Sequence, residues 1–143
     1  MFIKKLSGAA LLGALCALPL CASADTVVVV SARSPVGSLA HDQVVDLFLG
    51  KATTFPGGGQ AVPVNQAEGA AVRDEFYMKA AGRSAAQLKA YWSNIIFTGK
   101  GRPPKEVADS ASVKKLVAEN PNIIGYIDRS AVDSTLKVVF SVH

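Results

Sequence analysis

Cysteine is almost missing from this chain: of 143 residues only Cys16 and Cys21 carry a thiol, and both lie in the N-terminal apolar stretch. From Asp25 onward there is none, which excludes disulfides, thiolate catalysis and cysteine-based metal sites together and leaves stability to packing. Histidine is equally scarce. His41 and His143 cannot be joined by any local spacing, so no two-histidine metal pattern is present. A strong excess of one charge is absent as well. Setting aside Lys4 and Lys5, 13 basic residues face 11 acidic ones, a net +2, and only Lys100, Arg102 and Lys105 gather, in one Gly/Pro-rich loop. That distribution carries no nucleic-acid signature.

What is present at the start is a targeting pattern. Lys4 and Lys5 precede an apolar run from Leu6 to Leu20, and Ala22-Ser23-Ala24 supplies small residues at the cleavage positions. Residues 1–24 are read as a signal peptide cut before Asp25, delivering the protein to the periplasm. An uncleaved membrane anchor and lipidation of Cys21 are the rival readings. Cleavage leaves residues 25–143, 119 in number, one domain's worth of chain.

Within that domain strands and helices alternate. "TVVVVS", Thr26 to Ser31, is a continuous β-branched run suited to a strand covered on both faces. Val44, Leu47 and Phe48 recur at helical spacing until Gly50, "TTFPGGGQ" reads as a flexible loop, and "AVPVN" as a second strand. A helix is predicted from Gly69 to about Ala81, with Val72, Phe76 and Ala80 on one face. Another follows, opened by a Ser84/Gln87 capping box and striped by Leu88, Tyr91, Trp92, Ile95 and Ile96. Ser110 is placed as the cap of a further helix holding Val113, Leu116 and Val117, and "IIGYI" and "LKVVFSV" close the chain as strands. The alternation predicts an α/β fold with a mainly parallel sheet flanked by helices.

Catalytic patterns are weak. Ser112-Val113-Lys114-Lys115 matches Ser-x-x-Lys, but its companion motifs are absent and the helix uses Val113 and Leu116 for packing. Asp74 and Glu75 are adjacent on a helix and diverge, which suits solvation better than shared acid–base work. Gly50-Lys51 lacks the rest of a phosphate-cradling P-loop, and Gly57-Gly58-Gly59 sits in the wrong context for a dinucleotide fingerprint. No enzyme is expected, and neither cofactor nor metal.

Three segments, in order, resemble the periplasmic phosphate-binding proteins of ABC transporters. "LAHDQVVDLFLGKATTFPGGG" is similar to that family's helix ending in Ile-Phe-x-Gly-Lys before a loop with an aromatic, here Phe55. "PVNQAEGAAVRDEF" is similar to its strand, anion-binding turn and following helix, and "IIGYID" to its late Ile-Gly-Tyr strand. The resemblance implies one periplasmic-binding-protein-like lobe rather than the family's two. It also implies a ligand site at Gln66, Gly69, Ala70, Ala71, Val72 and Arg73, with a small anion such as phosphate as ligand and an ABC permease or other envelope protein as partner.

The turn departs from the family's Arg-x-Asp-Gly-Ser-Gly-Thr. Anchored on Gly69, Arg73 and Phe76, Gln66 stands where the arginine is expected, Ala70 where the serine is, Ala71 where the second glycine is and Val72 where the threonine is; Glu68 takes the aspartate's place. Charge-assisted donors are each worth about 1.5–3 kcal/mol, so their loss predicts weak binding, and Glu68 adds repulsion. Two expectations follow: a weak anion-binding lobe, using Arg73, the helix start and the Lys100/Arg102 loop, with a homodimer as one way to restore a second wall; or an interaction module for an envelope partner.

Overall fold

The computed structural model describes residues 25–142; the signal peptide expected at residues 1–24, and His143, lie outside them. Six residues, Thr26–Ser31, form β1, and every one is buried. Strand geometry sends alternate side chains to opposite faces. Val28 and Val30 accordingly join one apolar cluster and Val27 and Val29 another, so β1 is covered on both sides as its sequence requires.

The remaining elements are α1 (His41–Phe48), β2 (Val62–Gln66), α2 (Ala71–Phe76), α3 (Ala85–Phe97), β3 (Lys105–Val107), α4 (Ser110–Glu119), β4 (Ile123–Asp128) and β5 (Leu136–Ser141). The strands make one sheet in the order β3-β2-β4-β1-β5. β2 pairs in parallel with β3 and β4, whereas β1 runs antiparallel to β4 and β5. Four strands therefore point one way and β1 against them. Among the described residues no helix is long and apolar enough to cross a membrane.

Helices α1, α2 and α3 cover one face, burying Val44, Leu47, Phe48, Phe76, Leu88 and Trp92 against Val28, Val30, Ile124 and Tyr126. Phe76 stacks on Tyr126 with ring centroids 4.3 Å apart, and Phe48 meets both rings edge-on. The other face belongs to α4, whose Val113 and Val117 lie on Val27, Val29, Val64 and Ile127. Gly125 in β4 makes this approach possible: a Cβ there would come within 2.5 Å of Val113 Cγ1.

Local signals held in part. The Ser84/Gln87 capping box forms, each side chain bonding the other residue's backbone N–H. The helix expected from Gly69 starts at Ala71, and its last turn, Tyr77–Ala81, widens to a π-helix. Asp109, rather than Ser110, caps α4 by accepting the Ser112 N–H. The "TTFPGGGQ" loop is folded back on itself through a Thr54–Gln60 bridge with Phe55 buried. Lys105–Val107, expected within a loop, is an edge strand.

Candidate functional site

The strand β2 delivers the chain to the turn between it and α2. The Ala70 N–H donates to the Ala67 carbonyl at 3.0 Å, closing a four-residue turn around Glu68 and Gly69. Gly69 sits at φ +93°, a conformation open to glycine and strained for other residues. Ala70 is the N-cap of α2 and offers no side-chain acceptor. The N–H groups of Ala71, Val72 and Arg73 find no acceptor among the described residues. Three free donors at the positive end of a short helix are what this turn presents to an anion.

Its side chains point elsewhere. Gln66 is 2% exposed. Its Nε2 donates to Ser110 Oγ at 2.9 Å and to the Tyr126 carbonyl at 3.1 Å, so the amide is held beneath the start of α4. Its backbone N–H donates to Tyr126 Oη at 3.0 Å. Tyr126 Oη and Tyr77 Oη both donate to Asn65 Oδ1 at 2.8 Å. Burial raises the pKa of both phenols well above the ordinary tyrosine value, so they stay neutral donors. Val72 is half-buried and packs against the aromatic cluster instead of facing the turn.

Arg73 is the one cation at the turn, and it is already engaged. Its Nη1 donates to the Gln66 carbonyl at 3.0 Å and to Glu106 Oε1 at 2.7 Å. Burial works to lower the guanidinium pKa, but the bond to Glu106 and the charges of neighbouring groups outweigh it and leave the pKa raised. A cavity of about 200 Å³ opens beside it, flanked by Glu68, Asp74 and Glu106 against Arg73 and Lys89. Three carboxylates against two cations, one of them paired, is a poor field for phosphate.

Neither Lys100 nor Arg102 lines this cavity; of their loop only Pro103 reaches it, beside Trp92. The loop precedes β3 whereas the turn follows β2, and because those strands are parallel the two basic side chains belong toward the other end of β2. Elsewhere, Ser112 Oγ donates to Asp109 as part of the α4 cap, not to Lys115. His41 opens α1 beside Asp42 and the Phe140 ring. Among the described residues no three His, Asp or Glu side chains gather as metal ligands. Glu106 is the site residue that sequence reasoning missed, since a three-residue strand has no readable period and its partner is 33 residues away.

This architecture, one mixed sheet between helical layers with a glycine turn leading from strand to helix, is a phosphate-binding-protein-like fold. The chain is similar to a Clostridium perfringens protein described as a phosphate ABC transporter substrate-binding protein and solved with bound phosphate: 28% identity, TM-score 0.64, covering 80% of this chain and 44% of that one. An ABC-type phosphate transport receptor from Vibrio cholerae superposes with TM-score 0.64 at 18% identity, over 80% of this chain and 45% of its own. PstS from Borrelia burgdorferi gives 0.61 at 10% identity, over 81% and 47%. The chain thus spans under half the length of these structures. No protein-family model and no curated protein matches it.

Proposed function

We propose that this chain is a non-catalytic, periplasmic binding-protein lobe that recognises small anions weakly, through backbone rather than side chains. The observation that carries the reading is the set of unpartnered N–H groups at Ala71, Val72 and Arg73, behind Gly69, in a fold shared with phosphate-binding proteins. Gly69, Ala70 and Arg73 shape the turn, Arg73 by its bond to the Gln66 carbonyl, and Gln66 and Val72 anchor its flanks. An ABC permease or another envelope protein is the partner class that suits such a lobe, and a second copy could supply an opposing wall.

Calorimetry with phosphate, sulfate and acetate tests this. The expected result is millimolar binding with little preference among the three anions, because backbone donors without a free arginine give about 1 kcal/mol each. Micromolar phosphate affinity would overturn the reading. No heat at tens of millimolar would leave the interaction module, tested by capture from envelope extracts, as the better account.

A further inference from the structure

A larger cavity among the described residues is centred on the start of β2, the strand end opposite the turn. It holds about 1050 Å³ beneath α3, walled by Leu49, Ala61, Val62, Tyr91, Trp92 and Ile95. Its origin is structural. Of the α3 side chains only Leu88 and Trp92 are fully buried, so the helix stands off the sheet. Pro103 and Pro104, just upstream of β3, cannot donate backbone hydrogen bonds, and β3 pairs with β2 only from Val64 onward. Val62 is left 38% exposed as part of the groove wall.

The rim has one sign. Lys51, Lys100 and Arg102 line the groove, no aspartate or glutamate does, and none of the three cations makes an ion pair within 4.0 Å among the described residues. Within the wall, Trp92 is 6% exposed and its Nε1–H is buried without an acceptor among the described residues. A buried donor normally has a partner, so this one calls for a water or a ligand group to accept its proton. Apolar walls, a few convergent polar groups and a volume near the upper end of the usual range, about 300–1,000 Å³, are the marks of a small-molecule site.

We infer that this groove binds an amphipathic organic anion, an extended apolar body carrying one carboxylate. The body would lie along Val62, Tyr91 and Ile95 while the head group meets the Lys100/Arg102 rim. The groove adjoins the cavity beside Arg73 through Trp92 and Pro103, but its cationic rim is its own and the proposal does not rest on the turn's function.

Trp92 is the chain's only tryptophan and lines the groove, so its emission responds to a ligand bound there. Purified protein titrated with decanoate below its micellar concentration is expected to show a saturable change in emission. Decanol should bind about tenfold more weakly and decyltrimethylammonium not at all, as follows from one charge-assisted contact. Lys100→Ala/Arg102→Ala should weaken decanoate about tenfold and leave decanol unchanged, with the circular dichroism spectrum retained as evidence of folding. Inorganic phosphate should not compete with decanoate, which separates this site from the turn; emission alone does not, because Trp92 also lines the cavity beside Arg73. No saturable response to decanoate, or equal affinity for decanoate and decanol, would overturn the proposal. So would co-sedimentation with phosphatidylglycerol vesicles in the absence of any response to free decanoate, which would assign the rim and the 90%-exposed Phe97 to a membrane surface instead.

Discussion

The Arg73 guanidinium lies 2.7 Å from a Glu106 carboxylate oxygen, joining the first helix turn after Gly69 to edge strand β3. The cation that sequence places in an anion site is thereby neutralised by a residue 33 positions away. An incoming phosphate has to compete with a carboxylate already in contact.

Glu106→Gln is therefore expected to raise phosphate affinity about fivefold, since one unit charge at about 4 Å is worth about 1 kcal/mol in water-like surroundings. The pair is half-exposed on the Glu106 side, so stability should fall by no more than about 1 kcal/mol. Calorimetry and a urea melt measure both. An unchanged phosphate affinity would show that Arg73 does not face the ligand.

Placing an arginine where the phosphate-binding proteins that the turn resembles carry one tells the opposite story. Gln66 is buried beneath α4 with Ser110 and the Tyr126 carbonyl as its partners. Gln66→Arg should cost more than about 2 kcal/mol, by overpacking and by burying a charge, and should add little phosphate binding. A stable variant with improved phosphate affinity would mean that the strand can shift register and turn this side chain outward.

Gly125→Ala places a Cβ 2.5 Å from Val113 Cγ1. The expected loss is about 1–3 kcal/mol from forced separation of α4 and β4. In a double-mutant cycle Val113→Ala should lose less in the Gly125→Ala background than alone, because the clash is shared. Strict additivity would remove the steric explanation.

The Asp133 carboxyl is held down to about 2, first by its bond to Lys114 and then by Thr135. Its folded form binds protons less readily than the unfolded chain, whose aspartates titrate near about 3.9. The contribution is thus fully present above that value and is lost as the pH falls toward 2. Asp109, lowered by the Ser112 backbone N–H, adds in the same direction. Melting temperatures between pH 5 and 2 should fall less steeply for Asp133→Asn than for the parent. Identical slopes would show that the Lys114 contact does not persist in solution.

Much of this was legible locally. The run Val27 to Val30 requires two covered faces, and the Val44/Leu47/Phe48 spacing and the Ser84/Gln87 pair mark helices by themselves. Three features were not. The cap of α4 passed from Ser110 to Asp109 because Ser110 Oγ is drawn to Gln66, a contact 44 residues away. β3 is recruited by β2 with only three residues, too few for a period. β1 inserts against the direction of β4 and β5, a choice that connecting segments of this length leave open.

By itself the sequence determined which segments, β3 apart, become strands and helices, that Gly69 turns the chain toward a helix start, and that the side chains of the phosphate-binding turn it resembles are missing there. Those properties depend on neighbours within a few residues, where periodicity and backbone sterics act. Only the tertiary structure decided that Arg73 meets Glu106, that Gln66 turns inward to Ser110 and Tyr126, and that Lys51, Lys100 and Arg102 rim an apolar groove at the other end of the sheet. Such contacts are set by strand order and by how far α3 stands from the sheet, which are long-range packing outcomes with no local signature.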